Sequence, residues 1–301
     1  KRFPGLNALS DVSFSIKKGE IHALCGENGA GKTTLINICS GVIHPNQGDL
    51  IIKGEKVKFD SPKDVERYKI ATVHQEVPLC ENLTIAENIF LGPNPNAKFG
   101  FVDRKFMNAE TIGLLALFQL SYLPTTLIRD LTLAEQSMIQ FLRAIYTDPD
   151  FLILDEPTAS LPAEKKDLLF SFLQKKREEK EITVLYISHK LEEVFEIAER
   201  ISVLRDGLFV GTLESSQANI DDVINMMVGR DIEKYVYEKN ESNGDIAFEV
   251  KHLSRKHVLE DINFDIKKGE ILGFAGLQGA GRTELARIIF GIDKADVAEI
   301  Y

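Results

Sequence analysis

Two copies of a phosphate-loop motif constrain the fold of this chain more than any other feature of its sequence. The first copy reads Gly26-Glu27-Asn28-Gly29-Ala30-Gly31-Lys32-Thr33-Thr34 and fits the pattern of Gly, any four residues, then Gly-Lys-Ser/Thr. The second copy reads Gly276-Leu277-Gln278-Gly279-Ala280-Gly281-Arg282-Thr283-Glu284, with arginine in place of the lysine. The runs before the two loops, 9–21 and 259–271, are also nearly the same. The repeat therefore predicts a duplicated domain.

The length limits how much of this duplication the chain can hold. Its 301 residues leave room for one large α/β domain and part of another. We expect the first domain over residues 1–230, a charged linker over 231–245, and the start of a second, truncated domain over 246–301. On this interpretation the chain is a fragment of a longer polypeptide.

Charge and hydropathy narrow the partners that we expect. The net charge of -10 disfavours tight binding to nucleic acid, which requires a basic surface. No apolar run reaches the roughly 18 residues of a membrane span. If the protein serves a membrane, we expect it to do so through a partner.

Alternating apolar strands and helices predict an α/β fold with a mainly parallel sheet. An apolar strand over 21–25 leads through the first loop into a helix over 33–40, which is the context that the motif requires. We further expect strands at 70–74, 151–154 and 182–187, and a helix at 163–179.

Two additions to this core are expected. Short strands at about 50–53 and 56–59 predict an antiparallel hairpin. Helical apolar spacing predicts a helical insert over 84–146, broken at 93–96, with the following side chains on apolar faces: Ile85, Ile89, Ile112, Leu115, Phe118, Leu133, Ile139 and Leu142.

The first loop carries the chemistry of a nucleotide site. Its three glycines let backbone N–H groups turn toward the β-phosphate, next to the positive end of a helix. We expect Lys32 to contact the β- and γ-phosphates and the hydroxyl of Thr33 to bind Mg²⁺.

Polar residues follow three of the predicted strands. Asp155 and Glu156 close the strand at 151–154, where Asp155 would hold Mg²⁺ through water and Glu156 would activate the attacking water. The alternative is an acidic turn before Pro157. Gln75 and His189 also follow strands and could reach the γ-phosphate, although each alone is equally typical of a solvated turn.

Taken together, these segments resemble the ATP-binding cassette ATPases over essentially the whole chain. The resemblance is carried by the loop at 26–34, Gln75, the segment Leu131-Thr132-Leu133-Ala134-Glu135-Gln136, the run 152–158, and Ser188-His189. It implies a phosphate-loop NTPase fold with a RecA-like core, an antiparallel hairpin region and a helical subdomain. It also implies that Phe3 stacks on adenine, that Gln75 senses Mg²⁺ and couples to a membrane subunit, and that His189 contacts the γ-phosphate.

A narrower resemblance is to the fused two-cassette ATPases of bacterial importers for ribose, galactose or xylose. It is carried by the runs 3–9, 74–76 and 83–92 and by the loop with Arg282. It implies an ATPase on the cytoplasmic face of the inner membrane, acting with permease subunits, an extracytoplasmic binding protein and a second cassette.

Two departures from the family pattern stand out. Ala134 replaces a signature glycine, and its methyl group could obstruct approach to the γ-phosphate. The resemblance implies that two cassettes pair head to tail, so the altered signature is expected to face the altered loop of Gly276, Gly279, Gly281, Arg282 and Thr283. Because the planar guanidinium of Arg282 replaces a compact ammonium, we expect one hydrolytic site, on Lys32, and one that is slow or only binds ATP.

Three other functions compete with the sugar importer. A purine-nucleoside importer of related type remains open. A soluble cassette protein acting on ribosomes or DNA would usually have a basic insertion or a coiled-coil arm, and neither is present in the sequence. A regulator that does not hydrolyse ATP is disfavoured by the intact Asp155-Glu156 pair and His189.

Overall fold

The computed structural model describes residues 1–75, 78–92, 103–229, 244–276 and 279–301. It divides into two compact units, Lys1–Ile232 and Glu233–Tyr301. The predicted break at 93–96 and most of the predicted linker, 231–243, lie outside the described residues.

The first unit alternates strands and helices. Its described strands are β1 (Arg2–Phe3), β2 (Leu6–Asn7), β3 (Ile21–Cys25), β4 (Leu50–Ile52), β5 (Glu55–Val57), β6 (Ile70–Val73), β7 (Phe151–Asp155), β8 (Thr183–Ile187), β9 (Arg200–Arg205) and β10 (Leu208–Glu214). Its described α-helices are α1 (Lys32–Cys39), α2 (Pro62–Arg67), α3 (Ile85–Ile89), α4 (Arg104–Leu117), α5 (Leu133–Tyr146), α6 (Ala163–Glu178), α7 (Leu191–Ile197) and α8 (Ile220–Val228). Short 3₁₀ turns lie at Ile128–Asp130 and Ser215–Gln217.

A six-stranded sheet forms the centre of this unit, in the order β10-β9-β3-β8-β7-β6. The pairs β9–β3, β3–β8, β8–β7 and β7–β6 are parallel, and β10 adds an antiparallel edge. The predicted mainly parallel α/β sheet is confirmed. Because its parallel strands run the same way, the loop after β3 and the turns after β6, β7 and β8 meet at one edge.

Both faces of the central strands β3, β7, β8 and β9 are buried, as their nearly continuous apolar sequences require. On β7, Leu152 and Leu154 join the larger core under the helical insert, whereas Ile153 points to the other face. That second face packs against Ile36 of α1. The helix that follows the phosphate loop is therefore anchored directly to the sheet.

The two predicted additions are also present. Strands β4 and β5 form a separate antiparallel hairpin, turning through Lys53 and Gly54, which both have positive φ. Helices α3, α4 and α5 make up the insert.

Two of the apolar residues in the helical pattern of the insert are exposed, Ile112 at 58% and Leu133 at 62%. In α4 the buried face holds Met107, Thr111 and Leu115, spaced four residues apart, and Ile112 lies one position off that face. Leu133 is the first residue of α5, so it projects from the end of the helix.

The second unit contains a small antiparallel sheet in the order β12-β11-β13. Its elements are β11 (Ile246–Arg255), β12 (Leu259–Lys267), α9 (Arg282–Ile289) and β13 (Val297–Ile300). Val250, Leu253, Leu285 and Ile288 form its core.

Among the described residues, no helix has both the length and the apolar character needed to cross a membrane.

Candidate functional site

The phosphate loop lies between the end of β3 and the start of α1, and two of its glycines are required by close packing. A Cβ on Gly26 would lie 2.4 Å from the carbonyl oxygen of Leu204 in β9. A Cβ on Gly31, where φ is +100°, would lie 2.7 Å from both the Ala8 oxygen and Leu9 Cδ2. The loop is thus pressed against the sheet on one side and the N-terminal segment on the other, with room for backbone only.

Lys32 reaches back across the loop that precedes it. Its ammonium donates to the carbonyl oxygens of Gly26 at 2.6 Å and Glu27 at 3.0 Å. Burial lowers the pKa of Lys32, and the carboxylates of Glu156 and Asp155 oppose that shift. The first N–H groups of α1 have no acceptor within the helix, so the loop presents both an ammonium and backbone donors to an anion.

The acidic pair ends β7, directly beside β8. Asp155 is opposite Ile187 in the sheet, and the amide of Glu156 donates to the Ile187 oxygen at 2.9 Å. Glu156 has φ of +50°, an uncommon conformation for a non-glycine residue, and it turns the chain sharply at this point. Burial and the adjacent Glu156 charge raise the pKa of Asp155, and Lys32 opposes the rise.

The Glu156 carboxylate brings three of the predicted site residues together. Its Oε1 lies 2.9 Å from Nδ1 of His189, and its Oε2 accepts a hydrogen bond of 3.4 Å from the Gln75 side chain. The Glu156 side chain is 16% exposed and that of His189 is 59% exposed, so the group is open on one side. Gln75 and His189 thus both contact Glu156, and their contact with the γ-phosphate stays a prediction.

The signature segment forms the N-terminal end of α5. Thr132 caps the helix, because its amide donates to the Glu135 carboxylate at 2.8 Å and its hydroxyl accepts from the Glu135 amide at 3.4 Å. Glu135 also accepts a hydrogen bond from the Tyr122 hydroxyl. Ala134 therefore lies in the first helical turn, where free backbone N–H groups are expected.

A cleft of about 290 Å³ joins the signature end of α5 to the acidic turn. Leu133 and Ser137 line it on the helix side, and Gln75, Glu156 and Ser160 line it on the sheet side. Ser137 and Ser160 meet across it, with their hydroxyl oxygens 2.8 Å apart. Within the described residues no hydrogen bond links the signature segment to the loop of Lys32.

Phe3 lies in the β1–β2 hairpin near the same end of the first unit. Its side chain is 39% exposed, and the Lys1 ammonium lies 5.1 Å from the centre of its ring. Phe3 is therefore not a buried core residue. Stacking of this ring on adenine stays a prediction.

The second loop repeats the packing of the first. A Cβ on Gly281, where φ is +82°, would lie 2.6 Å from Leu259 Cδ2, as Gly31 does with Leu9. Gly276 lies against Ala280, and the Arg282 side chain passes close to it. Gly279 and Thr283 are exposed, and Leu277 and Gln278 lie outside the described residues.

Gly207 is a support of the first loop that the sequence analysis missed. In the turn between β9 and β10, its amide donates to the Ala30 oxygen at 3.2 Å, and its carbonyl accepts from the Ser10 amide at 2.7 Å. The sequence signal was present, because Asp206-Gly207 between two apolar runs is typical of a tight hairpin turn.

Fold and site together define a phosphate-loop NTPase of the cassette type. The sequence model of the ABC transporter family matches residues 9–159. A solved dimeric ATP-binding cassette, in a post-hydrolysis state bound to ADP and Pi, has a TM-score of 0.63 and 26% identity over 70% of this chain and 91% of its own. Another cassette, in its ADP conformation, has a TM-score of 0.64 and 23% identity over 76% of this chain and 96% of its own, which shows the fold.

Curated relatives cover nearly the whole of this chain. A protein of Agrobacterium fabrum (strain C58), named as ribose/galactose/methyl galactoside import ATP-binding protein 1, is 43% identical over 100% of this chain and 59% of its own length. A similarly named protein of Hahella chejuensis (strain KCTC 2396) is 40% identical over 98% of this chain and 57% of its own. The chain thus spans under two thirds of the relatives that it matches. This chain belongs to the ABC transporter family, as its sequence motifs predict.

Proposed function

We propose that this chain binds and hydrolyses ATP to drive uptake of a simple sugar of the ribose, galactose or xylose class. The observation that carries the proposal is the contact of Glu156 with both His189 and Gln75. This contact lies at the sheet edge where β3 ends and the loop of Lys32 begins. Relatives at 40–43% identity are named as ribose/galactose/methyl galactoside import ATP-binding proteins, which supports the choice of transported substrate.

ATP would bind to the loop and the start of α1. The Lys32 ammonium would exchange its two carbonyl acceptors for β- and γ-phosphate oxygens, and backbone N–H groups from Glu27 to Thr34 would surround the phosphates. The exposed ring of Phe3 would stack on adenine.

The donors present suit Mg²⁺, which favours oxygen ligands and keeps several waters. Thr33, Gln75 and Asp155 would hold it, with Asp155 acting through water. In the described chain no cluster of three or more His, Cys, Asp or Glu side chains could hold a metal ion, which agrees with a cation held largely by phosphate and water. Bound there, Mg²⁺ would neutralise phosphate charge.

Hydrolysis would rest on Glu156. Its carboxylate would accept a proton from a water that attacks the γ-phosphorus, as the bond to the β-γ bridging oxygen breaks and ADP leaves. His189, 2.9 Å from Glu156, would contact the γ-phosphate and orient the carboxylate. Gln75 would fix the other carboxylate oxygen.

Partner subunits and a second cassette would supply the remaining parts of the transporter. We place the protein on the cytoplasmic face of the inner membrane, bound to permease subunits that receive sugar from an extracytoplasmic binding protein. A second cassette in the same longer chain would complete the pair of sites.

Uptake into vesicles tests the proposal. Vesicles carrying the full-length protein, its permease and its binding protein are given labelled ribose, galactose, xylose or adenosine. We expect ATP-dependent accumulation of a sugar that Lys32→Ala abolishes and that Lys63→Ala, at an exposed lysine of α2, leaves intact. Accumulation of adenosine alone would support the nucleoside importer instead, and ATP hydrolysis without any permease would support a soluble cassette protein.

A further inference from the structure

The turns that carry Glu156 and His189 meet at a third carboxylate, that of Glu193. This residue lies in α7, directly after the His189 turn, and it is only 8% exposed. Its neighbour Glu192 points to solvent. A charged side chain is rarely buried unless it is paired and hydrogen-bonded, so the partners of Glu193 indicate its role.

The partners of Glu193 come from both turns and from strand β8. Its Oε2 accepts from the Thr158 hydroxyl at 2.5 Å and from the Tyr186 hydroxyl at 3.1 Å. Its Oε1 accepts from the Lys190 ammonium at 3.1 Å. Thr158 lies two residues after Glu156, and Lys190 directly follows His189.

We propose that Glu193 is a positioning residue that holds the Glu156 turn and the His189 turn in register. This inference rests on the proposed function, in which Glu156 and His189 act on the same water and phosphate.

The hydrogen bonds around Glu193 are close enough to the Glu156 and His189 turns that loss of its carboxylate would shift both turns. Thr158 is 2% exposed and Tyr186 is 0% exposed, so neither hydroxyl can turn to solvent if the carboxylate is lost. Burial raises the pKa of Tyr186, which keeps its phenol protonated as a donor. Lys190 adds a second link, because its ammonium lies 3.5 Å from the Thr158 carbonyl oxygen. A shift of either turn would therefore alter the contact between His189 and Glu156.

The arrangement predicts a loss of turnover without a loss of ATP binding. Glu193 contacts the acidic turn and the His189 turn, and its hydrogen bonds do not reach the phosphate loop. In the full-length protein with its permease, we expect Glu193→Gln to lower kcat by about 10-fold or more, since small misplacements of catalytic groups are costly. The affinity for a fluorescent ATP analogue should stay within about twofold, because the contacts of Lys32 are unchanged.

Glu192→Gln is the matched control, on the same short helix but exposed to solvent, and it should leave both quantities unchanged. If Glu193→Gln turns over as wild type does, the proposal is overturned. It is also overturned if ATP affinity falls as much as kcat, since that would indicate general disruption.

Thr158 provides a second test should Glu193→Gln fail to fold. Thr158→Val removes the hydroxyl at nearly constant volume and should lower kcat, whereas Thr158→Ser keeps the hydroxyl and should restore at least half of wild-type turnover. Equal activity of the valine and serine variants would overturn the proposal. If instead wild-type hydrolysis survives Lys32→Ala, the proposed function itself has failed, and that result is distinct from either outcome here.

Discussion

Gly207→Ala is a demanding test of how the phosphate loop is supported, because the residue lies outside the loop itself. Gly207 has φ of +75°, a conformation that L-residues other than glycine adopt at a cost. An added Cβ would lie 2.8 Å from the Ala8 carbonyl oxygen, which belongs to the segment that also packs on Gly31. The substitution should therefore force the N-terminal segment away from the turn.

The expected cost has two parts. The left-handed backbone costs about 1–2 kcal/mol for a residue with a Cβ. Overpacking against a backbone atom adds about 1–3 kcal/mol. The sum of about 2–5 kcal/mol corresponds to a rise of at least about 30-fold in the equilibrium constant for opening of the contact between the Gly207 turn and the N-terminal segment.

Gly54→Ala is the matched control. Gly54 has φ of +85° in the β4–β5 turn, and an added Cβ would meet nothing within 4 Å. This variant carries the backbone strain without the collision and far from the loop.

Hydrogen exchange of the Ser10 amide measures the effect locally, since this amide donates to the Gly207 carbonyl at 2.7 Å. We expect Gly207→Ala to speed its exchange at least about 30-fold and Gly54→Ala to leave it unchanged. Equal exchange of the Ser10 amide in the two variants would refute the argument that the turn is a close-packed support.

Two further predictions concern the second unit. Arg282→Lys in the full-length protein should leave ATP hydrolysis within about twofold of wild type, because Ala134 would still obstruct that site; a large rise would contradict the proposed division into one active and one slow site. Hydrogen bonds from Arg287 and Arg255 lower the pKa of Asp293 from 3.8 to about 2. The ionised Asp293 side chain therefore stabilises the fold fully above the pKa that it has in the unfolded chain, and this stabilisation is lost as the pH falls through about 2. Asp293→Asn should therefore lower the unfolding midpoint at pH 6 and not below pH 2, and an equal loss at both would show that the ion pairs are not responsible.

The elements that hold the site could be predicted because their local signals agree with the fold. The strand at 21–25 has the bounds that were predicted, and the helix after it begins one residue earlier than predicted. Parallel strands in this order bring Gln75, Glu156 and His189 to one edge, as their positions at strand ends indicate. Of the site, the sequence could therefore predict which residues lie at that edge.

The two copies of the repeat show where sequence reasoning stops. The run 259–267 forms β12 because β11 pairs with it, yet the matching residues 9–17 form no strand. Strand formation depends on a pairing partner, and two similar segments do not reveal which of them has one nearby.

Packing of side chains against elements that are distant in the sequence could not be predicted either. Glu192 and Glu193 are adjacent glutamates, and only the position of α7 against the sheet makes one of them buried. The exposure of Ile112 has the same origin, since the helical pattern did not fix which side of α4 meets the core. In each case tertiary packing determines which side of the helix is buried, and the sequence pattern does not distinguish the two sides.

The measurement that tests the central claim most directly is ATP hydrolysis by the full-length protein with its permease, comparing wild type, Lys32→Ala and Glu156→Gln. If the site on Lys32 is the motor, both variants should lose about 10²-fold or more of the turnover, the scale expected for losing a phosphate contact or a catalytic base. Turnover of Glu156→Gln equal to that of wild type would contradict the mechanism and favour a regulator that binds ATP without hydrolysing it.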